Sequence, residues 1–280
     1  MRADLQEFVK VLVVGAGGLS CELLKDLALS GFKNIEVIGM DTIEVSNLNR
    51  QFLFRMQDVG QPKAVIAARR VMERVSGVNI VPHFCRIEDK DFEFYRVFDI
   101  IVIGLDSLEA RSYINAVVCS FLEYDSDDKP REETIKPMVD GGTQGFGGHA
   151  RVVLPGITAC IECSMWVFPP QVKFPLCTLA ETPRTAAHRI EYAHLIQWDE
   201  QHRGKTFDAD NPEHMQWVYS QALNRAELYG IGGVTYSLTQ GVVKNIVPAI
   251  ASTNAILSSA CALEALKIVT GFSKILSNFF

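Results

Sequence analysis

At 280 residues with 48% hydrophobic side chains, the chain can hold one large domain or two ordinary ones around a sizeable core, which excludes a disulfide-stapled miniprotein. A formal charge of −6 gives no support to nucleic-acid binding, which favours basic surfaces. Seven cysteines, an odd count outside any small-domain framework, and a polar opening without a secretory pattern point to a reducing compartment, cytoplasm or nucleus.

Residues 10–14 form a short apolar run ending in Gly-Ala-Gly-Gly. Residues 19–29 follow with Leu19, Leu23, Leu24 and Leu27 on one helical face. Residues 34–38 predict a second strand and 62–75 a helix opened by Pro62. Residues 79–84 predict a third strand, and FDIIVIGL at 98–105 is the strongest buried strand in the chain. A helix is predicted over 108–122, then strands over 136–140 and 150–154. Strands alternating with helices imply an α/β fold: a doubly wound, mostly parallel sheet covered on both faces.

The charged stretch 123–133 predicts a solvated loop. After Leu154 the pattern becomes dense in proline and cysteine, and helices are predicted over about 184–201 and 212–230. The expected division is 1–165 as the nucleotide-binding domain, 166–240 as an inserted helical region, and 241–280 as the return to the first domain. Residues 246–269 are apolar but contain Pro248, Asn254, Glu264 and Lys267, costly in lipid. They predict two buried helices, or one kinked at Pro248.

VLVVGAGGLS joins a strand to a helix, where glycines let backbone approach phosphate and the helix N-terminus favours an anion. The context suits NAD, FAD or ATP alike. Ser20 stands where a third glycine would allow close helix–strand packing, and predicts a small misfit. Dinucleotide folds place an acid near the end of the second strand to bind ribose. Gly39 stands there instead, with Asp41 two residues on. Asn47, Arg50, Gln51 and Lys63 then favour phosphate transfer over hydride transfer, because charge on phosphate oxygens must be neutralised. Asp106 closes the strong strand at the edge where ligands bind, and is a candidate Mg²⁺ ligand or the cap of the next helix.

The cysteines sort by setting. Cys21, Cys85, Cys119 and Cys261 read as small packing residues. Cys160 and Cys163, in CIEC, supply half of a possible Zn²⁺ site, with His149 and His188 as weak candidates for the rest. Cys177, in KFPLCTLAETPR, has Lys173 and Arg184 nearby to favour its thiolate. His188 and His194 read as helix packing or surface residues rather than proton carriers.

The segments VLVVGAGGLSCELLKDLALSG, DTIEVSNLNRQFLFR, VGQPKA, GLDSLEAR, DGGTQGF and FPLCTLAETPR closely resemble the ubiquitin-activating E1 family, on its NEDD8-activating branch, over nearly the whole chain. The resemblance implies a Rossmann-like ThiF/E1 adenylation domain with an inserted catalytic-cysteine region. It implies that ATP and Mg²⁺ are handled by Gly15, Gly17, Gly18, Asp41, Asn47, Arg50, Gln51, Lys63 and Asp106, with Cys177 the thioester-forming residue. Arg151 would help select NEDD8 over ubiquitin. An inactive E1-like subunit would be the heterodimer partner. The family's second zinc-ligand pair and its E2-recruiting domain fall after the equivalent of Phe280, so a chain shorter than its relatives is expected, without the surface that recruits a NEDD8 E2 enzyme. Gly39 replaces the family's ribose-binding acid, Ser20 a glycine, and Gly147 a lysine. A degenerate or truncated partner-binding subunit with impaired ATP use is therefore the alternative to an active E1 subunit.

Overall fold

The computed structural model describes residues 7–167, 185–244 and 250–280. Two compact units divide the chain, residues 1–168 with 249–280, and residues 169–248.

The first unit is built on a sheet of six strands: β1 (Lys10–Val14), β2 (Asn34–Ile38), β3 (Asn79–His83), β4 (Ile100–Ile103), β5 (Met138–Gln144) and β6 (Gly147–Val153). Their order is β3-β2-β1-β4-β5-β6. The first five run parallel, and β6 turns back antiparallel on β5. Side chains of β1 alternate between two cores, as a strand buried on both faces requires. Val11 and Val13 face one core, Leu12 and Val14 the other.

The first core is covered by α1 (Gly18–Ser30), α2 (Lys63–Arg74) and α9 (Ala251–Val269). The expected leucine face of α1 is buried, and the helix stops at Gly31, whose φ of +107° only glycine adopts freely. The second core is covered by α3 (Phe92–Arg96) and α4 (Leu108–Ser120). No described helix is long and apolar enough to cross a membrane. The apolar segment 246–269 is not fully buried as expected. Its described part is one helix, α9, with Asn254, Leu257, Cys261 and Ala265 inside but Ile256 and Leu263 exposed. Pro248 lies outside the described residues.

The hairpin β5–β6 is longer than the sequence predicts. Gly141, Gly142, Gly147 and Gly148 read as loop, yet all are in strands. A Cβ on Gly141 would stand 2.8 Å from Cys261 Sγ of α9, so the glycine marks close packing, not a turn. Conversely, β4 is shorter than 98–105 and spans Ile100–Ile103; just before it Asp99 joins β1 at Lys10, its N–H donating to Lys10 O (2.9 Å) and its carboxylate accepting the Lys10 N–H (2.7 Å).

The second unit contains α5 (Ala186–Tyr192), α6 (Trp198–Gln201), α7 (Pro212–Leu228) and α8 (Tyr236–Val243). The single helix expected over 184–201 is interrupted by a wide π-turn at Ala193–Gln197. Ile190, Ala193, Trp198, Val218 and Ala222 form its core. His188 is buried there, and burial pushes the His194 imidazole below its ordinary value.

Candidate active site

The strand order reverses between β1 and β4, since the chain runs from β1 out to β3 and returns to β4. Ligands of open α/β sheets bind outside the C-terminal strand ends at such a point. Gly15 follows β1 there with φ +100°, and a Cβ on it would lie 2.7 Å from the Gly104 carbonyl oxygen. Both facts demand glycine. Gly17 precedes the helix and Gly18 is its first residue, so the free N–H groups of the first turn of α1 open at this edge. A Cβ on Gly18 would meet Asn254 Nδ2 at 2.5 Å and Arg50 Cγ at 3.8 Å.

Ser20 does not displace α1, contrary to the expected misfit. It is fully buried, and Gly104 leaves the room: a Cβ there would come within 2.6 Å of Ser20 Oγ. The cost is a hydroxyl without a hydrogen-bond partner.

Residues 41–63 form a lobe beyond β2. The Ile43 N–H donates to Gln61 O (2.9 Å) and the Lys63 N–H to Asp41 O (2.9 Å). That pairing brings Lys63 Nζ to 3.1 Å from Asp41 Oδ2. Asp41, Asn47 and Lys63 line one cavity of about 320 Å³ together with Met40, Thr42 and Glu44. Asn47 is partly spent on the loop itself, its Oδ1 accepting the Glu44 N–H at 2.9 Å. Arg50 donates to Ser46 O (2.9 Å) and Asn49 Oδ1 (3.1 Å). Gln51 is buried with an unpartnered Oε1. Arg50 and Asp106 are not among the residues that line this cavity. Arg50 stands beside Gly18, and Asp106 follows β4.

Asp106 is not the helix cap. Ser107 caps α4, its hydroxyl accepting the Ala110 N–H at 3.1 Å. Among the described residues the exposed Asp106 carboxylate has no hydrogen bond or ion pair. A carboxylate at the switch point, a glycine cradle that a Cβ would fill and a buried lysine in an adjacent cavity fit a nucleotide with a divalent cation. Gly39 has no carboxylate to offer a ribose, although a Cβ there would stand at ordinary contact distance, 3.4 Å from Ala16 Cβ, 3.5 Å from Ala16 N and 3.8 Å from Gly15 C. Gly147 likewise has room, with Gln144 O at 3.7 Å from a Cβ.

A buried ionic cluster, absent from the sequence reading, underlies the same edge. Arg111 of α4 pairs with Asp140 of β5 and donates to the carbonyls of Leu105 and Gly141. His149 Nε2 lies 3.1 Å from Asp140 Oδ2. Burial raises the Asp140 carboxyl, but His149, Arg111 and Arg151 outweigh it and hold it below its usual range. The available signal was charge on buried faces: Arg111 shares its helix face with Ile114 and Val118, and Asp140 follows Met138 and Val139 inside β5. Arg151, on the edge strand β6, pairs in register with Asp140 and is buried.

Cys160 and Cys163 approach to 3.5 Å between sulfurs, near the ~3.8 Å separation of two thiolates on tetrahedral zinc. Burial opposes the Cys160 thiolate, but hydrogen bonds from Cys163, Asn115 and Glu162 outweigh it and lower the thiol pKa. Among the described residues no group of three or more donors that could hold a metal includes this pair. Burial pushes Cys21 and Cys261 up to about 12 and Cys119 up to about 11, which suits unreactive packing residues. Cys177, with Lys173 and Arg184, lies outside the described residues.

The ThiF family model matches residues 2–280. The chain is 74% identical over 279 residues to the NEDD8-activating enzyme E1 catalytic subunit of Arabidopsis thaliana, covering 100% of this chain and 62% of that protein. It is 57% identical over 272 residues to the subunit of the same name in Caenorhabditis elegans, covering 96% of this chain and 63% of that one. For the Saccharomyces cerevisiae subunit the identity is 38% over 263 residues, covering 92% of this chain and 84% of that protein. The chain thus spans about three-fifths of the length of the first two relatives. Among solved structures, Escherichia coli MccB with AMPCPP and MccA superposes with a TM-score of 0.57 at 19% identity, covering 97% of this chain and 58% of that one. That likeness supports the fold alone. On the match along its whole length, the chain belongs to the ThiF family, alongside the catalytic subunits of NEDD8-activating E1 enzymes.

Proposed function

We propose that the chain performs E1-type activation of the ubiquitin-like protein NEDD8, adenylating its C-terminus with ATP and then capturing it as a thioester on Cys177. The observation that carries this reading is the unpartnered Asp106 carboxylate beside the glycine cradle at the switch point, with Arg50 next to Gly18. The names of the relatives supply the substrate.

In the first half-reaction the NEDD8 carboxylate attacks the α-phosphorus of ATP and pyrophosphate leaves. The N–H groups of the first turn of α1 receive phosphate oxygens, and Arg50 and Lys63 neutralise charge that develops there. Asp106 would hold Mg²⁺, which when bound supplies further positive charge to the phosphates. In the second half-reaction the Cys177 thiolate attacks the acyl carbon, forming the thioester and releasing AMP. An inactive E1-like subunit is the proposed partner, and zinc at Cys160 and Cys163 requires ligands outside the described residues.

A second reading, a partner-binding subunit with impaired ATP use, is favoured by Gly39, which offers no carboxylate to the ribose. ATP–pyrophosphate exchange with NEDD8, with and without the partner subunit, separates the two. Exchange that depends on NEDD8 supports activation, and its absence under both conditions supports the binding subunit.

A further inference from the structure

Asn254 is a buried amide whose two ends face different parts of the site. It lies on α9, 2% exposed. The Thr143 hydroxyl donates to its Oδ1 at 2.8 Å, which ties the amide to the end of β5. Its Nδ2 donates to no acceptor among the described residues. That Nδ2 is the atom that would stand 2.5 Å from a Cβ on Gly18, with Arg50 Cγ 3.8 Å from the same point. The side chain as a whole is buried, but Nδ2 is not among the sealed-off polar atoms that lack a partner, so this donor stays open to a bound group. Here the donor faces the first turn of α1, whose own N–H groups have no partners within the helix. Gly18 is therefore glycine for a second reason besides phosphate access: any side chain would push this amide away.

We infer that Asn254 Nδ2 donates to an anionic oxygen of the nucleotide's phosphate chain bound at the first turn of α1, with Thr143 fixing the amide's orientation. The inference rests on the adenylation reading and extends it. A helix 204 positions beyond Arg50 completes a phosphate site whose other members all lie within the first 106 residues.

The test uses the full chain with its partner subunit and measures ATP affinity by calorimetry without NEDD8. Asn254→Asp keeps an acceptor for Thr143 but replaces the N–H donor with a carboxylate. ATP affinity falls by roughly ten- to a hundredfold at pH 8. As the pH is lowered, the deficit relative to wild type shrinks, because the protonated carboxyl regains a donor. A purely structural amide gives no such recovery. Asn254→Ala, which adds no charge, shows the loss without the recovery, and keeps the test open should the Asp variant fail to fold. Thr143→Val retains the donor and loses less than Asn254→Ala. ATP affinity within twofold of wild type for both Asn254 variants overturns the inference, as does a defect confined to the KM for NEDD8. A wild-type chain that binds no ATP overturns the adenylation reading, and the inference with it.

Discussion

Ser20 occupies the space that Gly104 leaves empty. The hydroxyl of the first turn of α1 lies where only a residue without a side chain permits it at the end of β4, 2.6 Å from the position of a Cβ. The two therefore respond in opposite directions to alanine. Ser20→Ala removes a buried hydroxyl that bonds to nothing and is expected to leave stability unchanged or raise it by up to about 1 kcal/mol. Gly104→Ala overpacks the same contact and is expected to cost about 1–3 kcal/mol. Urea denaturation of the two variants against wild type reads both signs.

Gly39 removes a charged acceptor from the ribose, and the space for one is present. Gly39→Asp is expected to tighten ATP binding by roughly ten- to a hundredfold, the gain of one charged hydrogen bond. Asp41 does not stand in freely, since Lys63 holds it at 3.1 Å. Equal affinities in a nucleotide titration would show that ribose recognition lies elsewhere.

The proposed second half-reaction makes Cys177 the acceptor thiol. With ATP, Mg²⁺, NEDD8 and the partner subunit, an adduct cleaved by reducing agent is expected, and Cys177→Ala abolishes it. Cys177→Ser is expected to trap an oxygen ester that survives thiol treatment. An adduct that persists in Cys177→Ala, read on non-reducing gels, would move the acceptor to another cysteine.

The Asp140 carboxyl is held below its ordinary range in the folded chain, burial being outweighed by His149, Arg111 and Arg151. It therefore contributes stability that is present above about pH 4, the unfolded carboxyl value, and is lost as pH falls through the lower folded value. Arg111→Leu leaves this carboxylate buried without its guanidinium partner and is expected to cost about 3–5 kcal/mol at pH 7. The double variant Arg111→Leu, Asp140→Leu should recover much of that loss. Thermal melts across pH 3–7 would separate the outcomes.

The parallel sheet was legible because Val11 to Val14 and Ile100 to Ile103 are apolar on both faces, and such runs have few alternatives. The candidate site residues were legible as types, since Arg50, Lys63 and Asp106 have no place in an apolar pattern. Their distribution was not: Lys63 shares a cavity with Asp41, while Arg50 and Asp106 do not line it. What stayed hidden was set by contacts far apart in sequence. Gly141 reads as a turn until Cys261 of α9 lies against it. Asn254 reads as a polar blemish in an apolar helix until Thr143 bonds it. Asp106 reads as a cap of the next helix in the sequence, and only the 3.1 Å bond from the Ala110 N–H to the Ser107 hydroxyl shows that the serine does this instead.

The packing of α9 on α1 also sets an order of folding. The Ser258 hydroxyl donates to the Asp26 carboxylate at 2.8 Å across 232 positions of chain. During synthesis, the apolar face of α1 therefore waits for its cover until the entire second unit has left the ribosome. The second unit has its own core and contacts close in sequence, and so can condense first. A nascent chain arrested before residue 251 would present the six-stranded sheet with α1 and α2 in place but their α9 neighbour missing, leaving apolar surface of α1, β5 and β6 open to chaperones until α9 emerges.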